Sequence, residues 1–65
     1  MRIEVNGEPR EVTSETLAQA LAELGWAGAR VATALNGVFV PKGARAQTAL
    51  TNGDRLEVLA PMQGG

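Results

Sequence analysis

Cysteine and histidine are both absent from this 65-residue chain. Their absence removes disulfides and zinc, the two staples that small folds commonly use. It also removes a thiol nucleophile, an imidazole base and any soft or nitrogen ligand set for zinc or copper. A sulfur atom handled by this protein cannot travel as a cysteine persulfide. Aromatic residues are nearly missing, with one tryptophan and one phenylalanine. No apolar run approaches the roughly 18 to 20 residues of a membrane span. Charge of one sign is lacking too: six Lys and Arg against seven Asp and Glu, scattered along the chain, leave no electrostatic footprint for nucleic acid. Met1-Arg2-Ile3-Glu4-Val5 is too short and too charged for a secretory signal, so the cytoplasm is the expected compartment. The length allows one domain, near the lower limit for unaided folding, with modest net stability.

What the sequence does have is a distinctive end. Ala60-Pro61-Met62-Gln63 leads to Gly64-Gly65, and no charged side chain follows Glu57. A carboxylate carried on two residues without side chains enters slots closed to any other residue. A terminal carboxyl has an ordinary pKa of about 3.5, so at neutral pH it is an anion and a poor acceptor of nucleophiles. Transfer of AMP from ATP would make it a mixed anhydride, from which a sulfur nucleophile could displace AMP and leave a thiocarboxylate on Gly65. Extended, Pro61 to Gly65 spans at most about 16 Å, enough to enter a neighbouring enzyme's cleft. The competing reading of the two glycines is a frayed terminus.

The rest of the chain reads as strand, strand, helix, strand, strand, irregular crossing, strand. Met1, Ile3 and Val5 alternate with Arg2 and Glu4, the pattern of a half-buried strand. Asn6-Gly7-Glu8-Pro9 follows as a turn, and Arg10 to Val12 returns with Val12 inward. Thr13 and Ser14 are the expected helix caps, with Glu15 in the first turn. Leu17, Ala20, Leu21 and Leu24 form one stripe, Gln19 and Glu23 lie outside it, and Gly25 ends a helix of about ten residues. Trp26 covers that end. Val31 to Leu35 suits an inner strand. Asn36-Gly37 turns it into Val38-Phe39-Val40, and 42–51 crosses irregularly with at most a helical turn. After the Asn52-Gly53-Asp54 turn, Arg55 to Ala60 is the last strand. One core is expected from Ile3, Val5, Val12, Leu17, Leu21, Leu24, Val31 or Ala32, Leu35, Leu50, Leu56 and Val58. Asp54 and Glu57 read as solvated carboxylates rather than a metal or acid/base pair, and Asn52-Gly53-Asp54 lacks the further ligands of a calcium loop. Ser14 is better explained as a cap than as an acyl-carrier attachment site.

Several fragments together carry a resemblance: Ile3-Glu4-Val5-Asn6-Gly7-Glu8, Val31-Ala32-Thr33-Ala34-Leu35-Asn36-Gly37, Val40-Pro41-Lys42, Ala46-Gln47-Thr48 with Leu50, Asn52 to Val58, and Gln63-Gly64-Gly65. In that order and spacing the chain resembles the ubiquitin-like β-grasp sulfur carriers of the ThiS/MoaD family, most closely those of thiamine biosynthesis. The resemblance implies an α+β fold, a mixed sheet of about five strands with one main helix on one face. It implies a domain over 1–60 and a flexible tail over 61–65. A ubiquitin-activating-type (ThiF-like) enzyme would adenylate Gly65 at the expense of ATP. Sulfur from a cysteine desulfurase or related donor would make the thiocarboxylate, and a ThiG-like thiazole synthase would consume it. Gly64 matches the family's penultimate glycine, whose role is steric. The carrier would bind no cofactor or metal, supply no catalytic residue, and be a monomer when free. Relatives often carry a bulky aromatic where Arg45 stands, which leaves the packing of the crossing open.

A docking surface can be placed as well. If Leu56 and Val58 face the helix, Leu59 faces out, and Phe39 lies opposite to Val38 and Val40. Phe39, Leu59 and Met62, beside the tail residues Gln63, Gly64 and Gly65, are then the expected contacts for the adenylating enzyme and the synthase. The alternative for Phe39 is internal packing at a sheet edge. Three other functions share parts of this reading: a sulfur carrier for molybdopterin or tRNA thiolation, a protein modifier joined through Gly65 to lysine amines, and a plain interaction or RNA-binding β-grasp module that needs no terminus.

Overall fold

Two Asn-Gly pairs set the geometry of the sheet. Strand β1 (Arg2–Val5) turns through Asn6-Gly7 into β2 (Glu8–Glu11), and β3 (Ala32–Leu35) turns through Asn36-Gly37 into β4 (Val38–Val40). In a computed structural model, which describes residues 1–60, φ is 52° and 85° across the first pair and 52° and 84° across the second. Positive φ at both central residues defines the type I′ turn, whose twist matches that of the flanking strands. Asparagine and glycine reach that region at low cost.

The last strand, β5 (Arg55–Leu59), lies in the middle, giving the order β2-β1-β5-β3-β4. It runs parallel to β1 and antiparallel to β3. The turn asparagines hold it from both sides. Asn6 accepts the Val58 N–H at 2.8 Å and donates from Nδ2 to the Val58 carbonyl at 3.1 Å. Asn36 accepts the Arg55 N–H at 2.9 Å, while its own N–H donates to the Arg55 carbonyl at 2.7 Å. Each asparagine thus supplies a rung where backbone pairing runs out.

The helix α1 (Leu17–Glu23) is shorter than its apolar stripe suggests and starts later. Its cap is Thr16, not Thr13 or Ser14. Thr16 Oγ1 accepts the Gln19 N–H at 3.2 Å, and Gln19 Oε1 reaches back to the Thr16 N–H at 3.4 Å and the Glu15 N–H at 3.1 Å. Gln19 in this capping box outcompetes a start at Thr13, and Glu15 falls outside the first turn. Glu23, read as an outward residue, binds Thr13 and Ser14 instead. Ser14 Oγ donates to it at 2.6 Å, and the Thr13 and Ser14 N–H groups donate at 3.0 and 3.1 Å. The Ser14 hydroxyl first, then the Thr13 backbone, holds the Glu23 carboxyl below its ordinary range. At the other end Trp26 donates to the Leu21 carbonyl at 2.8 Å and Gly25, with φ of 102°, to Ala22 at 3.2 Å. That pairing is a Schellman motif, in which Trp26 and Leu21 occupy the positions that commonly pack together.

Residues 42–51 are more regular than their composition indicates: Lys42–Gln47 is a 3₁₀ helix of six residues. The chain then bonds to the start of α1, with the Leu17 N–H on the Thr48 carbonyl and the Leu50 N–H on the Glu15 carbonyl, both at 2.9 Å.

Between α1 and the inner sheet face, Ile3, Val5, Val12, Leu17, Ala20, Leu21, Val40, Leu50, Leu56 and Val58 are buried, as the alternation predicts for most of them. Leu24, Val31 and Leu35 pack against this core only partly buried, and Ala32 is exposed. The inward residue of β3 is Thr33, 2% exposed. Its hydroxyl donates to the Val40 carbonyl at 2.8 Å, which is how a polar side chain is accommodated there.

Asp54 is not solvated but 9% exposed. It accepts the Thr51 N–H at 2.8 Å, the Thr51 hydroxyl at 2.9 Å and the Asn36 amide at 3.0 Å, closing the turn into β5. Burial alone would raise its pKa, but these three donors together outweigh it and hold the carboxyl below its ordinary value. Glu57 is exposed, as its strand position predicts.

Two measurements test this arrangement. Asn36→Gly keeps the turn conformation and loses only the amide bonds, so urea denaturation should show a loss of about 1–2 kcal/mol. Asn36→Ala adds strain at positive φ and should lose more; equal losses would show that φ does not matter there. A folded pKa below the unfolded one means that Asp54 contributes stability above the ordinary value of about 3.9, and that this contribution is lost as pH falls through the lower folded value. Stability of Asp54→Asn, followed from about pH 5 to pH 2, should therefore fall less steeply than that of the parent.

Candidate functional site

Pairing across β5, β3 and β4 determines what faces away from the helix. Leu59 lies opposite Ala32, and Ala34 lies between Glu57 on one side and Phe39 on the other. Thr33, Val40, Leu56 and Val58 point inward. The outer face therefore divides in two. Its β1 side carries Arg2, Glu4, Arg55 and Glu57, all exposed, while its β4 side is apolar, with Leu59 and Phe39 each 66% exposed across the two alanines. Two residues along the strands and two strand spacings across put Phe39 and Leu59 about 12 Å apart.

Phe39 is thus on the surface and not packed internally, although β4 is indeed a sheet edge. Val38 was expected to point inward with Val40. It is 66% exposed, because it begins the edge strand straight after the turn, where alternation gives a direction but no covering partner. Leu59 ends β5, so the apolar patch begins where the sheet hands the chain to Ala60 and the tail. The expected contact Met62 and the expected attachment residues Gln63, Gly64 and Gly65 lie outside the described residues.

Arg45 answers the question left by the missing aromatic. It is 8% exposed, with its stem in the space between the 3₁₀ helix and β3. Nε donates to the Thr33 hydroxyl at 3.0 Å and Nη2 to the Val31 carbonyl at 2.6 Å. The hydrogen bonds run on from Thr33 to Val40, so a single arginine ties the crossing to β3 and, through Thr33, to β4. Nothing in the sequence marked Arg45 or Thr33 as buried, since both side chains are polar and only their mutual bond makes burial tolerable.

Among the described residues no group of three or more His, Cys, Asp or Glu side chains could hold a metal ion, and no helix is long and apolar enough to cross a membrane. With the central strand last in sequence and one main helix on one face, the fold is the ubiquitin-like β-grasp. Comparison with solved structures agrees. A thiamine biosynthesis protein (ThiS) from Geobacter metallireducens superposes with a TM-score of 0.82 at 35% identity, each chain covered completely. A solution structure of a thiamine biosynthesis protein from the same organism gives 0.79 at 32% identity, over all of this chain and 88% of that one. A thiazole synthase of Paramagnetospirillum magneticum is 39% identical over 66 residues, covering the whole of this chain. The chain spans about a fifth of that relative's length, 20%. The ThiS family model matches residues 3–65, and the chain belongs to the ThiS family, small sulfur carriers of thiamine biosynthesis.

The patch makes a structural prediction of its own. Leu59→Glu should change stability by no more than about 0.5 kcal/mol, because the side chain is already in water. Val58→Glu, one residue earlier and 4% exposed, should prevent folding at room temperature. Circular dichroism and thermal melts of the pair read this directly; a large loss in Leu59→Glu would mean that Leu59 is structural.

Proposed function

We propose that the chain carries sulfur for the thiazole moiety of thiamine and is loaded and unloaded at Gly65. A ubiquitin-activating-type enzyme joins the Gly65 carboxylate to AMP from ATP and releases pyrophosphate. Sulfur supplied through a cysteine desulfurase or a related donor displaces AMP and remains as the thiocarboxylate. A thiazole synthase then takes the sulfur, and the carrier returns as a carboxylate. The carrier itself performs no catalysis and binds no cofactor; Gly64 and Gln63 keep the end slender enough to enter both partners.

The observation that carries this reading is the family match extending to Gly65, so that the tail as well as the folded body follows the family. A thiazole synthase with a region similar to the whole of this chain supports such an enzyme as the consuming partner. The geometry supplies a reason for the body. A strand gripped on both sides leads the chain out past Leu59, and Phe39, Leu59 and Met62 give each partner an apolar hold close to the reacting end. The reactions take place in the cytoplasm, with the carrier a monomer between encounters.

The test is direct. Incubation with ATP, the adenylating enzyme and a sulfur donor should raise the intact mass by one exchange of oxygen for sulfur, mapped to Gly65 by fragmentation. Conjugates of high mass would instead make the chain a protein modifier, and an unchanged mass would remove the proposal. One residue added after Gly65 should abolish loading. Leu59→Glu, still folded, should slow adenylation about tenfold or more at limiting enzyme, the effect of losing an apolar anchor.

A further inference from the structure

A groove of about 870 Å³ opens on the helix side of the molecule, between α1, residues 26–31 and the 3₁₀ helix. Its size falls within the range of about 300–1,000 Å³ typical of small-molecule sites. Leu21, Trp26 and Val31 give it apolar walls, and Trp26 is the chain's only tryptophan. The charges along it are all of one sign. Arg30, Lys42 and Arg45 line it, and none of the described lining residues is a carboxylate, although the whole chain carries a net charge of −1.

Arg45 is the unusual member. It is more than nine-tenths buried, and its two bonds, to Thr33 and Val31, occupy Nε and Nη2. Nη1 has no partner among the described residues. No buried side-chain nitrogen or oxygen among them lacks a partner, so Nη1 must open onto the groove that Arg45 lines. A guanidinium withdrawn from water with one face held and the other presented to a cavity is a ready receptor for an oxyanion. Arg30 and Lys42 are exposed at the rim and add charge without needing to hold a fixed position.

We propose that this groove binds a small anion bearing a planar aromatic or heteroaromatic ring, as in a mononucleotide. The anionic group sits on Arg45 between Arg30 and Lys42, and the ring lies among Trp26, Leu21 and Val31. Charge on one side and a flat apolar wall on the other select that class over either inorganic phosphate or a neutral ring. The site is separate from the Phe39 face, although Leu59 and Ala60 form part of its edge, and it stands whether or not Gly65 carries sulfur.

Titration of the full-length protein with AMP, with adenosine and inorganic phosphate as controls, tests this through the fluorescence of Trp26. AMP should give a saturable change, and each control should bind at least tenfold more weakly. Losing one hydrogen bond to a charged group corresponds to about tenfold or more in affinity, so Arg45→Gln should weaken AMP by that factor. Because Arg45 also holds the crossing, Arg30→Glu with Lys42→Glu serves as a second variant, at exposed positions, and should weaken AMP while leaving the thermal melt unchanged. Amide shifts should centre on Trp26, Ala22 and Ala46. No saturable change with AMP, equal binding of phosphate or adenosine, undiminished binding in the double variant, or shifts centred on Phe39 would each overturn the proposal.

Discussion

The fold depends on one arrangement: the last strand of the chain occupies the middle of the sheet. β5 can form only after β1 and β3 are present to receive it, and both neighbours reach it through side chains as well as backbone. A strand in that position cannot peel away as an edge strand can, because freeing it breaks pairing on both sides at once. The residues that follow it therefore leave from the most firmly held part of the molecule. For a carrier whose work is to place its own end in another protein's cleft, that rigidity up to Leu59 lowers the cost of presenting the tail.

The same strand separates two environments. Leu56 and Val58 face the helix and are buried, while Glu57 and Leu59 face away and are exposed. In a chain of 65 residues with one main helix, only one sheet face can be covered. The uncovered face becomes usable surface, and its apolar half, at Phe39 and Leu59, lies beside the exit of the chain. Polar residues under the covered face persist because each has partners: Thr33 joins Val40 and Arg45, and Asp54 joins Thr51 and Asn36.

Much of this was legible beforehand. Alternation in Met1 to Val5 and Arg55 to Leu59 identified the strands and their inward residues, and the Asn-Gly pairs located both hairpins. Leu17, Ala20 and Leu21 identified the helix face. These signals are local, so a short window of sequence contains them. The failures came where two local choices competed. Thr13, Ser14 and Thr16 can all cap a helix, and the choice fell to Gln19 at the third position and to Glu23, which engages Thr13 and Ser14 from the far end. Val38 had the right period but no neighbour. Asp54 and Arg45 resembled solvated charges because their partners, Asn36 and Thr33, are distant in sequence.

By itself the sequence determined the element order, the turn types, the inward set of most strands and, through its ordered fragments, the family. It did so because backbone preference and hydrophobic period are properties of neighbours along the chain. Only the tertiary structure decided that Arg45 is buried with one nitrogen turned to a cationic groove, that Asp54 closes the turn into β5, and that Phe39 and Leu59 share an outer face. Each of those follows from residues brought together across the sheet or from the crossing onto it, where burial and hydrogen bonding depend on partners that no local pattern encodes.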